Sequence, residues 1–175
     1  PELRASIFHF TVFTTSGAAS AYFGVWMAQR GISPGEIGIV NAAPVLALLV
    51  LNLFVGRLAD RASDWRQMII FLALVAGVVP LGLFFVSGFI GVLIVWTLIS
   101  IPAGSLPPGV DAATLRLTER RGTSFGNIRG WGTLGAMVST AGTGLMVAWL
   151  GPNAFVPTLL AFSVARAGLL LQLPR

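Results

Sequence analysis

Asp111 and Arg129 stand in the stretch GVDAATLRLTERRGTSFGNIRGWG, Gly109 to Gly132, of an otherwise apolar chain. A guanidinium can pair with an acid, and it can bind a carboxylate or hydroxyl-bearing solute through charge-assisted hydrogen bonds. Asp111 lies nine residues before Arg120, and Arg129 nine after it. If the chain turns there between two helices, each charge sits about 13 Å from the turn, at matching depth on antiparallel neighbours. Either charge alone near mid-helix in a bilayer would cost roughly 2.5–3.5 kcal/mol, so a partner or a purpose is expected. The pair can be a staple across the hairpin, two side chains snorkelling to the interface, or the lining of a cavity. The run IPAGSLPPG just before Asp111 favours the cavity, because prolines free backbone carbonyls and irregular backbone at membrane depth lines cavities.

The elements that must hold this pair are membrane spans. Only 10% of the residues are charged, 55% are hydrophobic and the mean hydropathy is +0.87, whereas a soluble domain carries about 25% charged residues. A helix crossing the hydrocarbon core needs about 20 mostly apolar residues. Six stretches qualify: Ser6–Ala28, Ile37–Gly56, Met68–Ser87, Phe89–Ala112, Ile128–Leu150 and Ala154–Leu173. The expected fold is therefore an all-α membrane protein, with residues 1–175 forming one six-helix transmembrane bundle. Arg4, Arg57, Arg61, Arg66, Arg116, Arg120, Arg121 and Arg175 fall on one side and only Arg30 on the other. By the positive-inside rule the crowded side, with both chain ends, faces the cytoplasm. Single arginines between apolar runs read as topology signals, so the net charge of +5 does not imply nucleic acid.

Other chemistries are poorly supplied. Without cysteine there is no disulfide, thiolate metal site or cysteine nucleophile. One histidine and six scattered carboxylates show no metal-ligand spacing, and nothing asks for a cofactor. The first span carries His9, Thr11, Thr14, Thr15, Ser16, Ser20 and Tyr22; the fifth carries Thr133, Ser139, Thr140 and Thr143; the second adds Asn41 and Asn52. Each hydroxyl, taken singly, reads as helix–helix hydrogen bonding beside small residues. The third span is almost bare of polar groups and reads as lipid-facing scaffold. His9 lies close to the cytoplasmic end of its span, where interfacial hydration is favoured over a proton relay. Arg166 either snorkels or faces a partner. Trp26 and Trp149 read as interface anchors. Trp96 and Trp131 lie deeper, where a ring can pack in the core or stack on a solute. The candidate site residues are Asp111, Arg129, Trp131 and Tyr22.

The loop after the second span reads GRLADRASDWR, Gly56 to Arg66. It resembles the signature G-x-L-x-D-R-x-x-x-R/K-R of the major facilitator superfamily, with Gly56, Leu58, Asp60, Arg61 and Arg66 matching as the conformational loop motif. Ser63, Asp64 and Trp65 depart from it. VDAATL and FGNIRGWGTLG together resemble the fourth-to-fifth-span hairpin of the branch containing lactose permease, nucleoside:proton symporters and phenylpropionate permeases. That resemblance implies a six-helix bundle of two inverted three-helix repeats, the amino-terminal half of a twelve-span carrier. It also implies that Asp111 and Arg129 form the substrate-site pair, and that Ala136 replaces the tryptophan that stacks on sugar in lactose permease, which argues against a galactoside.

The implied function is secondary transport of a small polar or anionic organic solute, an aromatic acid or a nucleoside, across the cytoplasmic membrane by proton symport. Its partners would be the lipid bilayer, the solute, protons and a carboxy-terminal six-helix half. The rival reading is a six-span structural or assembly subunit that transports nothing. An intramembrane serine protease is disfavoured, since His9 lies near the rim and no G-x-S-G sequence occurs. The topology is directly testable: in the full-length carrier, a cysteine at Arg30 should react with a membrane-impermeant maleimide from outside the cell. One at Arg121 should react only after permeabilisation, and labelling of both from the same side would refute the orientation.

Overall fold

Helix α1 (Glu2–Gln29) is the axis of the bundle, and the computed structural model describes residues 2–59 and 65–170 around it. The other helices are α2 (Pro34–Ala59), α3 (Trp65–Val78), α4 (Gly88–Arg121), α5 (Phe125–Leu150) and α6 (Phe155–Leu170). A 3-10 segment, Val79–Phe84, follows α3, and a single 3-10 turn, Pro152–Ala154, precedes α6. There is no strand among the described residues. Among the described residues, three helices are long and apolar enough to cross a membrane by length and composition alone, in α2 (Pro34–Leu51), α4 and α5. Helix α1 carries His9 and a series of hydroxyls, and it packs against α2, α4, α5 and α6 while sharing a core cluster with Ala76 of α3. Its polar groups are tolerable because so much of it is enclosed by protein.

Side-chain contacts show the chain weaving back and forth. Near one end, His9 of α1 meets Thr114 near the end of α4, and Arg129 near the start of α5 meets Asp111. At the other end, Arg30 donates from Nη1 to the Val86 carbonyl at 3.4 Å, and Trp26 packs on Phe155 at the start of α6. Exchanging α1 with α4, α2 with α5 and α3 with α6 carries the α1–α5 contact onto α2–α4, and α1–α6 onto α3–α4. It leaves the α3–α6 and α1–α4 contacts in place. This is the pairing pattern of two inverted three-helix repeats.

The tightest crossing joins α1 to α5. A Cβ added at Gly17 would collide with the Ala136 backbone, and one at Gly135 with the Phe10 carbonyl. The Thr140 hydroxyl is shared between its own-helix carbonyl of Ala136 and the Gly17 carbonyl of α1, at 2.9 Å from each. Without water as a competitor, such close backbone approach and cross-helix bonding hold membrane helices together. Beyond the crossing, Phe23, Trp26, Met27, Val40, Leu83, Val92 and Phe155 form the larger apolar core. Phe8, Val12, Ala76, Leu106 and Val110 form a second one near the Asp111 end.

Several expectations change. Trp26, read as an interface anchor, is 1% exposed and packs against Phe23 and Phe155, because Arg30 lies over its ring at 4.2 Å and takes the interfacial position instead. Trp149 is exposed, and Trp96 stacks on Phe23 at 3.9 Å between centroids. The third span is not one helix: its α-helical part ends at Val78, and the chain tightens into 3-10 geometry around Pro80, which lacks the N–H that would continue the α-helical ladder. Conversely, IPAGSLPPG does not form irregular backbone. Helix α4 runs unbroken through Pro102, Pro107 and Pro108 for 34 residues, although each proline leaves the carbonyl four residues before it without its helical donor. In a bilayer any further unwinding would leave more backbone groups unpaired. The helix also passes its predicted limit, ending at Gly122, whose φ of 65° and N–H bond to the Thr118 carbonyl form a left-handed cap.

At the opposite end, Ser33 and Glu36 form a capping box at the start of α2. Glu36 Oε2 accepts from the Ser33 N–H at 2.9 Å and from its hydroxyl at 2.7 Å. These bonds hold the Glu36 carboxyl below its ordinary value, so this support is present above the carboxylate range and is lost as pH falls through it. The α1–α5 crossing yields a sharper prediction. Gly135→Val should destabilise the protein by on the order of 1–3 kcal/mol through overpacking, read as a lower unfolding temperature in detergent. Gly142→Ala, where an added methyl meets open space, should leave that temperature unchanged.

Candidate functional site

The hairpin of α4 and α5 brings the two charges together as the depth arithmetic requires. Arg129 Nε lies 3.2 Å from Asp111 Oδ1, with both side chains about one-third exposed. The N–H is not aimed along a hydrogen bond, and Oδ1 has no hydrogen-bond donor of its own, so the attraction is Coulombic. The guanidinium also lies over the Phe13 ring of α1, 4.1 Å from its centroid, where the ring face favours a cation. Gly132, one turn along α5, makes this possible, since a Cβ there would press on Phe13 and on Arg129 Nη1.

The third member is His9. Sequence position favoured hydration at the interface; instead its side chain is fully buried. The helix start at Glu2 and the extension of α4 to Arg121 place other helix turns around it. His9 Nε2 lies 2.9 Å from Thr114 Oγ1, Nδ1 faces Asp111 Oδ1 at 3.6 Å, and the ring sits edge-on to Phe125. Phe13 and Thr114 were not singled out in the sequence. The signal that could have found them is helical spacing: His9 and Phe13 are four apart on α1, and Asp111 and Thr114 three apart on α4, so each pair shares a face.

Arg166 is the other buried cation. It is 1% exposed and does not snorkel. Its Nη1 donates to Thr15 Oγ1 at 2.8 Å and its Nη2 to the Ala76 carbonyl at 3.1 Å, tying α6 to α1 and α3, while Nε has no acceptor. No carboxylate pairs with it among the described residues. Most of the other hydroxyls are satisfied within their own helix, as Thr14, Ser16, Ser20 and Ser139 are. Thr15, Thr114 and Thr140 have partners on other helices, Thr114 and Thr140 in addition to a carbonyl of their own helix.

The family model described as the MFS_1 like family matches residues 3–174. The chain belongs to that family of the major facilitator superfamily. It is 26% identical over 175 residues to the maltose permease of Geobacillus stearothermophilus, covering 97% of this chain and 43% of that protein. It is also 26% identical over 144 residues to a protein named as a probable 3-phenylpropionic acid transporter of Escherichia coli (strain K12), covering 79% of this chain and 37% of that one. The chain thus spans less than half the length of the curated relatives it matches. No solved structure matches it significantly. A transporter family and relatives named as transporters place the chain among membrane carriers, not enzymes.

In this major facilitator bundle the other expected site residues stand apart from the pair. Tyr22 is 13 residues beyond His9 on α1, about 20 Å along the axis, with its hydroxyl against Gly144. Trp131 is half-exposed and only two residues from Arg129, so the two side chains leave α5 in diverging directions. Of the loop motif, Asp60 and Arg61 lie outside the described residues; Gly56 and Leu58 fall in the last turns of α2 and Arg66 in the first of α3. The packing around Arg166 generates a stability prediction. Arg166→Ala should destabilise the protein by at least about 2 kcal/mol, as large-to-small changes in a packed interior do. Arg30→Ala, at an exposed position, should lower the unfolding temperature far less.

Proposed function

We propose that this chain is the amino-terminal bundle of a secondary active transporter that moves a small anionic organic solute across the cytoplasmic membrane by proton symport. The observation that carries the reading is the state of Arg129. It is only partly buried, its acid partner is held by charge without an aligned hydrogen bond, and its guanidinium lies beside an aromatic face. A solute carboxylate arriving there replaces Asp111 and gains the hydrogen bonds that Asp111 does not make. Phe13 next to the cation suits an aromatic acid, and the name of the Escherichia coli relative is of that class. Ala136, where the resemblance puts a sugar-stacking tryptophan, lies under Gly17 at the α1–α5 crossing, so no ring is available there for a sugar.

The orientation follows from the arginine bias, which puts the Asp111 end and both ends of the chain at the cytoplasmic face. Relatives more than twice as long support a second six-helix half that closes the site. A non-transporting subunit would have no need of a guanidinium held half-open by a weakly bonded acid. Uptake of radiolabelled 3-phenylpropionate, maltose and uridine by cells producing the full-length carrier tests the proposal. Accumulation of 3-phenylpropionate is expected, and Arg129→Ala should reduce it at least tenfold with unchanged carrier in the membrane. Normal uptake by that variant would remove Arg129 from the substrate site.

A further inference from the structure

We infer that His9 Nδ1 and Asp111 Oδ1 together form a binding site for one exchangeable proton within this half of the carrier. Thr114 Oγ1 lies 2.8 Å from the Val110 carbonyl, which can only accept, so the single hydroxyl proton of Thr114 is donated there. The 2.9 Å contact with His9 Nε2 then requires the imidazole to be the donor. Nε2 therefore carries a hydrogen, and in the neutral ring Nδ1 is a bare lone pair. That lone pair faces Asp111 Oδ1 across 3.6 Å, and both atoms are buried without any hydrogen-bond partner. Two acceptors facing each other away from water are unfavourable. One proton removes the conflict, whether it rests on nitrogen, giving imidazolium and carboxylate, or on oxygen, giving imidazole and carboxylic acid.

The charges around this slot give the proton a consequence. Among the described residues, the charged groups facing His9 are Asp111 on α4 and Arg129 on α5. Arg166 of α6 meets α1 at Thr15, more than a full turn further along. With His9 neutral, Asp111 and Arg129 sum to zero. A proton alone makes the site positive and an anion alone makes it negative, and either net charge is costly at membrane depth. One proton with one monovalent anion restores neutrality. Asp111 is the shared element, since the oxygen facing Nδ1 is the same one facing Arg129 Nε. An anion that takes Arg129 leaves that oxygen to the proton, and a proton held there frees Arg129 for the anion. The coupling half of this inference rests on Arg129 as the anion anchor; the proton site itself does not.

The test uses purified full-length carrier labelled with nitrogen-15 at histidine, with the His9 signals assigned by their loss in His9→Gln. Expected in wild type is a ring with Nε2 protonated throughout and Nδ1 gaining a proton as pH falls. In Asp111→Asn the midpoint of that change should move to lower pH by about one unit, a tenfold loss of proton affinity. Thr114→Val should populate the opposite tautomer, with hydrogen on Nδ1, and serves where Asp111→Asn fails to fold. A wild-type ring bearing its neutral hydrogen on Nδ1 would overturn the site, as would a midpoint unmoved by Asp111→Asn. No solute is needed, so failure here leaves Arg129 as anion anchor intact. Failure of the Arg129→Ala uptake test would likewise leave the proton site standing.

Discussion

Backbone contact between α1 and α5 sets the distances on which everything else depends. Gly17 and Gly135 leave no room for even a methyl group at the crossing, and Thr140 fastens it with a cross-helix hydrogen bond. That approach delivers Phe13 to the face of Arg129 and His9 to the edge of Asp111. Helices held a side-chain length further apart would leave Arg129 with Asp111 alone. The assembly of acid, imidazole and aromatic ring is thus a product of small residues elsewhere on the same two helices.

Much of the fold was legible because membrane insertion imposes simple rules. Length, apolarity and scattered arginines mark six spans, and the equal distance of Asp111 and Arg129 from Arg120 sets them at equal depth. His9 was less legible. Distance from the chain start suggested a rim position, but burial of a helix end is decided by its neighbours, and α4 continues to Arg121 alongside it. The prolines of α4 misled for a related reason: each removes one hydrogen bond, yet a bilayer penalises further unwinding more heavily. Arg166 could not be resolved from sequence because its acceptors, Thr15 and the Ala76 carbonyl, lie 151 and 90 residues away.

The two buried basic side chains illustrate different answers to one constraint. Arg166 keeps its charge and spreads it over a hydroxyl and a carbonyl on two neighbouring helices, which locks three elements together. His9 can shed its charge, and it sits where a single carboxylate oxygen also serves a second cation. The first arrangement suits a fixed post in the bundle. The second suits a group whose state changes with what its neighbours hold.

The unbroken course of α4 gives the bundle a lever. At 34 residues it is about 51 Å long, well beyond the hydrocarbon thickness, and it carries Asp111 near one end with Arg116, Arg120 and Arg121 beyond it. Tilting it by about ten degrees around its outer end would sweep the arginine tip through roughly 9 Å of the headgroup layer, pulling Asp111 away from helices that did not follow. Events at the lipid surface and at the charged cluster would then be one mechanical event, read at two points along the same shaft.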